Sequence, residues 1–207
     1  MVDREYCAAT RTRARAVSWF RRTARSAIAT AMRIADSASH AGRRRDVAEQ
    51  IAAIGRPRSI MVVCYGNICR SPYLAALLRR ALPDVAVSSA GFIGAGRSVP
   101  EHSSTLAARE GIDLSDHRSQ LIPRDALDTT DLVVVMSERQ ARSLRAGFGY
   151  PRNRIVVAGD LDPVRGERRE IRDPWNQPIE VFEASFARLA RCASDLVAKL
   201  NGGIRRR

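Results

Sequence analysis

The sequence predicts an α/β fold: a four-stranded parallel sheet with helices on both faces, preceded by an N-terminal helical extension. From Arg58 onward, short β-branched runs alternate with stretches that are apolar at helical spacing, which is typical of βαβ units. Residues 132–136 are apolar at every position, as expected of a strand covered on both faces. With 207 residues, of which 45% are hydrophobic, the chain suits one domain of about 150 residues plus an appendage.

Residues 1–57 form the predicted extension, and residues 58–207 form the predicted main domain. Through Arg58 the chain carries thirteen arginines against five acidic residues, whereas Lys199 is its only lysine. The net charge of the whole chain is +13. This bias toward arginine and alanine is typical of a high-GC genome, with attraction to phosphate or to a membrane as the second interpretation.

Within the extension, the sequence predicts a basic amphipathic helix over residues 17–35, a break over residues 37–42 and a second short helix over residues 45–54. Such a helix suits an anionic membrane surface or an acidic partner. Nucleic acid is not an expected partner. The alternatives are a helical pair packed on the main domain, partial disorder and an over-extended gene start.

The main domain has four predicted strands and four predicted helices. The first strand places its carboxyl end where open α/β sheets bind ligands. The strands are expected at residues 59–63, 85–89, 132–136 and 155–158, and the helices at residues 72–82, 102–110, 138–144 and 179–200.

The four cysteines, Cys7, Cys64, Cys69 and Cys192, have no zinc-finger spacing. Arginines interrupt the N-terminal third, so no apolar window suits a signal peptide or a membrane span. We therefore expect a reducing cytoplasm, in which a thiolate is usable. Cys7 and Cys192 are expected to be inert.

The three histidines are expected to lie outside the chemistry. His117 is interpreted as a structural hydrogen-bonding residue, and His40 and His102 as solvated side chains.

The most informative stretch is V-C-Y-G-N-I-C-R-S-P at residues 63–72, between the first strand and the following helix. Backbone N–H groups and the positive end of a helix dipole converge on such a loop, which suits a phosphate dianion and stabilises a thiolate. A Cys followed six positions later by an Arg arises by chance about half of the time, but four further residues lower the chance expectation by roughly 10⁵. These residues are Gly66, Asn67, Ser71 and Pro72.

This stretch resembles the signature V-C-x-G-N-x-C-R-S-P of the low-molecular-weight protein tyrosine phosphatases. The resemblance implies that Cys64 is the nucleophile and Arg70 the residue that holds phosphate. It also implies that the Ser71 hydroxyl steadies the thiolate and that Asn67 shapes the loop. No metal or cofactor is expected, because the loop amides and Arg70 supply the positive potential. Gly66, Ile68 and Cys69 complete the predicted phosphate-binding loop.

Further segments of the chain support the resemblance. Residues 87–91, V-S-S-A-G, resemble the family's second-strand segment, in which Ser89 matches a serine that supports the loop. Residues 111–119 and 131–136 resemble two more family segments. One departure follows directly: Gln120 stands where the family usually carries an arginine.

Two Asp-Pro pairs compete for the role of general acid, Asp162-Pro163 and Asp173-Pro174-Trp175. A departing phenolate needs a proton, and the same carboxylate can then activate the water that frees the enzyme. The family's acid lies in a D-P-aromatic sequence before the last helix, so the resemblance implies Asp173.

The resemblance implies hydrolysis of phosphotyrosine through a cysteinyl-phosphate intermediate. Tyr65 and Trp175 are expected to wall the entrance and to select a flat phenol. The family also implies a reversible disulfide between Cys64 and Cys69 under peroxide. By analogy with bacterial relatives, the partner would be a phosphotyrosine protein such as a tyrosine kinase or a sugar-transferase of polysaccharide export.

Two other functions compete with the phosphatase. An arsenate reductase on the same fold would need two further cysteines downstream, and the sequence has none between Cys69 and Cys192. A phosphoprotein-binding module would carry a vestigial site, against which the intact Cys64, Arg70, Ser71 and Asp173 argue.

Overall fold

The structure, a computed structural model, describes residues 39–165 and 167–202. The amphipathic helix predicted over residues 17–35 therefore lies outside the described residues, as does Cys7. Within the described part of the chain, no helix is both long enough and apolar enough to cross a membrane.

A four-stranded parallel sheet forms the centre of the fold, which confirms the predicted fold class. The order of its strands is β2-β1-β3-β4, and every neighbouring pair is parallel. β1 therefore lies between β2 and β3, and its carboxyl end opens at the point where the connections diverge to either side. The strands are β1 (Ser59–Cys64), β2 (Ala86–Gly91), β3 (Leu132–Val135) and β4 (Ile155–Val157).

Helices cover both faces of the sheet. The first, α1, is described over residues 39–54 and precedes β1. Short 3₁₀ turns at Arg152–Arg154 and Ala158–Asp160 flank β4. The remaining helices are α2 (Arg70–Ala81), α3 (Glu101–Arg109), α4 (Arg124–Asp128), α5 (Glu138–Phe148) and α6 (Ile179–Gly202).

The sheet separates two hydrophobic cores. All four residues of β3 have no exposed surface, as predicted for a strand covered on both faces. One core joins the sheet to α1, α2, α3 and α6, where the rings of Tyr73 and Phe186 stack with centroids 4.0 Å apart. The other core joins the sheet to α4 and α5, through Leu127 and Leu144 among others. Burial of both cores fixes the position of β1 and of the loop that follows it.

The helix boundaries of the main domain differ from the prediction by up to four residues, most clearly in α2 and α5. α2 begins at Arg70 rather than at residue 72, because the end of the phosphate loop already has helical conformation. α5 extends to Phe148 and ends at Gly149, whose left-handed φ of 70° closes the helix. Glycine adopts this conformation without steric cost. The five-residue α4 was not predicted, since so short a helix has no readable periodicity.

The predicted break over residues 37–42 is wrong for residues 39–42, which belong to α1. Tertiary contacts override the weak local signal. His40, expected to be solvated, is only 4% exposed and its Nε2 forms a hydrogen bond of 2.9 Å with the backbone carbonyl of Asp162. Val47 and Ile51, in the second predicted helix, are buried in the core shared with α2 and α6.

Residues 158–178, here called the β4–α6 segment, connect the last strand to the last helix. Within it the carboxylate of Asp162 is fully buried and receives hydrogen bonds of 2.8–2.9 Å from Arg188 and Arg191 of α6. Burial disfavours the charged form, but the hydrogen bonds from the two arginines and one backbone N–H hold the pKa of Asp162 below its ordinary value. This ion-paired carboxylate fastens the segment to α6.

We expect Asp162→Asn to lower the free energy of unfolding by about 3–5 kcal/mol at neutral pH, because Arg188 would remain buried without its carboxylate. The stabilisation is complete above the unfolded-state pKa of about 3.9 and is lost as the pH falls through the lower folded-state pKa. The difference between variant and wild type should therefore shrink on acidification. Urea unfolding at neutral and acid pH measures both effects.

The matched control is Asp84→Asn, which removes an exposed ion pair with Arg56. We expect a change below about 1 kcal/mol from this variant. Equal costs for the two variants at neutral pH would show that Asp162 is not a structural anchor.

Candidate active site

The loop between β1 and α2 holds the sulfur of Cys64 beneath the first turn of the helix. Cys64 ends β1 and is only 2% exposed. Its Sγ accepts a hydrogen bond of 3.2 Å from the backbone N–H of Asn67 and lies 3.1 Å from the Ser71 hydroxyl. The backbone N–H is a donor to the sulfur and the hydroxyl can be one, so the geometry suits a nucleophilic sulfur.

Asn67 shapes this loop through its backbone and its side chain. Its φ of 52° is left-handed and turns the chain back toward Cys64. The fully buried side-chain amide donates to Ser71 Oγ at 2.9 Å and to Ser89 Oγ at 3.0 Å. A Cβ on Gly91 would lie 2.8 Å from the Asn67 nitrogen, so β2 must carry a glycine where the loop passes.

The segment after α3 supports the loop from behind. Gln120 donates its backbone N–H to Asn67 Oδ1 at 2.9 Å and its side-chain amide to the Ser89 carbonyl at 2.7 Å. His117 Nε2 lies 2.7 Å from the Asn67 carbonyl, in line with its interpretation as a structural hydrogen-bonding residue. The departure from the family pattern at Gln120 thus falls on a residue that fastens the loop to β2.

Arg70 opens α2 and directs its guanidinium into the site. The residue is 2% exposed. Its Nη1 donates to the Ile171 carbonyl at 3.0 Å, and its Nη2 forms an ion pair with the carboxylate of Asp173. Its Nε is buried and has no hydrogen-bond partner among the described residues.

Only one of the two competing Asp-Pro pairs lies at the cleft. The side chain of Asp173 is 43% exposed, and its Oδ1 accepts the backbone N–H of Trp175 at 3.2 Å. Asp162 is fully buried between two arginines of α6. Burial and ion pairing leave Asp162 no access to a substrate, whereas Asp173 faces the loop.

A cleft of about 110 Å³ lies above Cys64. Eight of the eleven residues proposed for the site line it, and Asn67, Ser71 and Ser89 lie behind the loop as its supports. The rim is aromatic, since Tyr65 is 53% exposed and Trp175 is 56% exposed. The eight lining residues are Cys64, Tyr65, Gly66, Ile68, Cys69, Arg70, Asp173 and Trp175.

Sequence reasoning missed Arg97, which also lines the cleft. Its Nη2 donates to the carbonyls of Gly66 at 2.8 Å and Ile93 at 2.9 Å. A Cβ on Gly66 or Gly94 would come within 3.0 Å of this guanidinium, so both glycines make room for it. Arg97 lies in an irregular connection after β2, where no periodicity marks it, and it places a second cation beside the loop.

Two further thiols lie among the described residues. Cys69 and Cys192 are free and buried, and burial raises the pKa of each to about 12. Both therefore remain protonated near neutral pH. Within residues 39–165 and 167–202, no three His, Cys, Asp or Glu side chains are grouped as metal ligands would be.

Comparison with known proteins places this site in a family. A sequence model described as low molecular weight phosphotyrosine protein phosphatase matches residues 59–205. A probable low molecular weight protein-tyrosine-phosphatase, EpsP of Ralstonia solanacearum, is 38% identical over 136 residues, which are 65% of this chain and 90% of the relative.

Two solved structures share the fold. The tyrosine phosphatase Wzb from Escherichia coli K30, in complex with sulphate, matches with a TM-score of 0.64 and 28% identity over 70% of this chain and 99% of that one. The YwlE arginine phosphatase from Geobacillus stearothermophilus matches with a TM-score of 0.65 and 29% identity, over 73% of this chain and 98% of that one. The chain therefore belongs to the low molecular weight phosphotyrosine protein phosphatase family.

Proposed function

We propose that this chain is a protein-tyrosine-phosphatase that hydrolyses phosphotyrosine through a cysteinyl-phosphate intermediate. The observation that carries the proposal is the convergence of Cys64, Arg70 and Asp173 on one cleft at the N-terminus of α2. Family membership supports it, as does the name of the relative from Ralstonia solanacearum.

In the first step, the Cys64 thiolate attacks phosphorus in line and the bond from phosphorus to the tyrosine oxygen breaks. Arg70 and the loop N–H groups stabilise the charge on the phosphoryl oxygens. Asp173, in its protonated form, gives its proton to the departing phenolate. Arg70 must exchange its ion pair with Asp173 for the phosphate, which frees the carboxyl group for this role.

In the second step, water attacks the phosphorus of the cysteinyl phosphate and the sulfur–phosphorus bond breaks. Asp173, now ionised, accepts a proton from the water, so the carboxyl group returns to its starting state. The Cys64 thiolate leaves, stabilised by the Asn67 N–H and the Ser71 hydroxyl. The products are inorganic phosphate and the regenerated enzyme.

The cleft favours an aryl phosphate on a protein. Tyr65 and Trp175 offer flat, exposed rings at the rim, which suit a phenol ring. Because Cys64 is buried at the base, the short arm of phosphoserine would leave its phosphorus out of reach. We propose that the partner is a phosphotyrosine protein, by analogy a tyrosine kinase or sugar-transferase of polysaccharide export. We propose the cytoplasm as the location, because a free thiolate persists there.

Hydrolysis of para-nitrophenyl phosphate with excess chelator tests the mechanism. We expect metal-independent turnover in the wild type, no measurable turnover in Cys64→Ser, and a loss of about 10²–10⁴-fold in Asp173→Asn. Cys192→Ala, which changes a buried cysteine of α6 outside the cleft, should retain turnover.

Appreciable turnover by Cys64→Ser would exclude the proposed nucleophile. A wild-type chain that binds phosphotyrosine without hydrolysing it would instead support the binding module. Reduction of arsenate would support the reductase, although the single cysteine after Cys69 is buried in α6.

Likeness to an arginine phosphatase makes phosphoarginine the competing substrate. A phosphorylated guanidinium needs hydrogen-bond acceptors. Among the described residues that line this cleft, Asp173 is the only acidic side chain and it is already paired with Arg70, while Ile68 and Ile93 are apolar and Arg97 is a cation. We therefore expect kcat/KM for a phosphotyrosine peptide to exceed that for the same peptide carrying phosphoarginine by about 10²-fold or more, the scale of an unpaired buried polar group. A preference for phosphoarginine would reassign the substrate.

The proposed disulfide between Cys64 and Cys69 has a testable pH dependence. Since the pKa of Cys69 is raised to about 12 by burial, its thiolate fraction rises about tenfold per pH unit below that value. After one equivalent of peroxide, disulfide formation followed by mass spectrometry should therefore accelerate from pH 7 to pH 9. Cys192→Ser should behave as the wild type, and Cys69→Ser should form no disulfide. A rate independent of pH would contradict attack by the Cys69 thiolate.

A further inference from the structure

Helix α1 lies outside the part of the chain that the family model matches, yet it contacts the segment that carries the proposed acid. The match begins at residue 59, whereas α1 covers residues 39–54. Its N-terminal half packs against the start of the β4–α6 segment. Asp173 lies near the end of that same segment.

Three polar side chains of α1 contact three consecutive residues of the β4–α6 segment, at positions 160–162. His40 Nε2 meets the carbonyl of Asp162 at 2.9 Å, so Nε2 is the donor. Arg43 Nε forms an ion pair of 3.1 Å with Asp160. Arg44 donates to the Leu161 carbonyl and forms an ion pair of 2.7 Å with Asp195 of α6.

These contacts continue through the protein to the cleft. The Asp162 carboxylate accepts from Arg188 Nε at 2.8 Å, and Arg188 Nη1 donates to the Glu170 carbonyl at 2.9 Å. The next residue, Ile171, is bound through its N–H to the Met136 carbonyl and through its carbonyl to Arg70. Asp173 follows two residues later.

The segment itself contributes little regular structure. Apart from one 3₁₀ turn at Ala158–Asp160, its described residues form no helix or strand before α6. A connection of this length depends on contacts with neighbouring elements to hold one conformation. Displacement of a catalytic group by about 1 Å can cost 10²-fold in rate.

We propose that α1 positions the general acid: through His40, Arg43 and Arg44 it holds the β4–α6 segment in the conformation that presents Asp173 to the cleft. These three side chains are positioning residues, since none of them lines the cleft. The inference rests on the proposed function of Asp173. It assigns to residues outside the matched region a role in the phosphatase reaction itself.

The test is the dependence of kcat/KM on the leaving group in the full chain. Phenolate needs the proton of the acid, whereas nitrophenolate leaves readily without it. In the double variant Arg43→Met/Arg44→Met, kcat/KM for phenyl phosphate should fall about tenfold further than kcat/KM for para-nitrophenyl phosphate, part of the 10²–10⁴-fold that general acid catalysis supplies. His40→Phe keeps a planar aromatic ring, removes the hydrogen bond and should show the same pattern more weakly.

Arg45→Met is the matched control, because Arg45 is an exposed arginine of α1 with no contact to the segment among those described. Arg45→Met should keep the wild-type ratio of kcat/KM for phenyl phosphate to kcat/KM for para-nitrophenyl phosphate. Thermal unfolding of each variant sets an assay temperature at which all are folded. A double variant that fails to fold leaves His40→Phe to decide.

Asp173→Asn, measured in parallel, separates the two proposals. If it does not discriminate between the substrates, Asp173 is not the acid and the proposed mechanism fails. Alternatively, Asp173→Asn loses more kcat/KM for phenyl phosphate than for para-nitrophenyl phosphate, while Arg43→Met/Arg44→Met and His40→Phe show the same ratio of the two kcat/KM values as Arg45→Met. In that case α1 does not position the acid and this inference is overturned.

Discussion

The hydrogen bonds of the buried Asn67 amide are the interaction on which the rest of the site depends. The left-handed turn at this residue directs its own N–H at the Cys64 sulfur, while its side chain joins α2 to β2. The backbone N–H of Gln120, in the connection between α3 and α4, donates to the remaining side-chain oxygen of Asn67. Because an unsatisfied buried amide is costly, these partners specify one conformation of the loop. The shape of the loop is therefore set from behind, by residues that do not line the cleft.

The ion pair between Arg70 and Asp173 explains how the buried guanidinium of Arg70 stays charged and paired without a bound ligand. A buried charge without a partner is strongly destabilising, and Asp173 supplies that partner in the structure described here. A phosphate dianion offers the guanidinium a doubly charged alternative. In the proposed mechanism, the exchange of one anion for the other keeps Arg70 paired throughout and releases the carboxyl group when the substrate binds.

Much of the fold and most of the cleft could be predicted from the sequence, for identifiable reasons. The apolar run of β3, the helical spacing of apolar residues and the loop of residues 63–72 are local patterns. They were sufficient to predict the strands, the longer helices and the loop. Asp173 required the family resemblance to be preferred over Asp162, and burial separates the two in the structure.

What could not be predicted depends on contacts between distant parts of the chain. His40 was expected to be solvated, yet it is buried and its hydrogen-bond partner lies 122 residues away in sequence. Arg97 occupies a loop without periodicity, and its place beside Gly66 is fixed only when β1 and β2 pair. Helix α1 continues through residues 39–42, where His40 binds the backbone of the β4–α6 segment, a contact that local propensity does not contain.

The exposed indole of Trp175 makes the cleft visible to spectroscopy. The chain contains two tryptophans, Trp19 and Trp175, and Trp175 shares its turn with Asp173 through the hydrogen bond from its backbone N–H. Replacement of Trp19 by phenylalanine would leave a single tryptophan, at the rim, where more than half of its surface meets solvent. Its emission would then report, without any label, the proposed exchange in which an oxyanion draws Arg70 away from the neighbouring carboxylate.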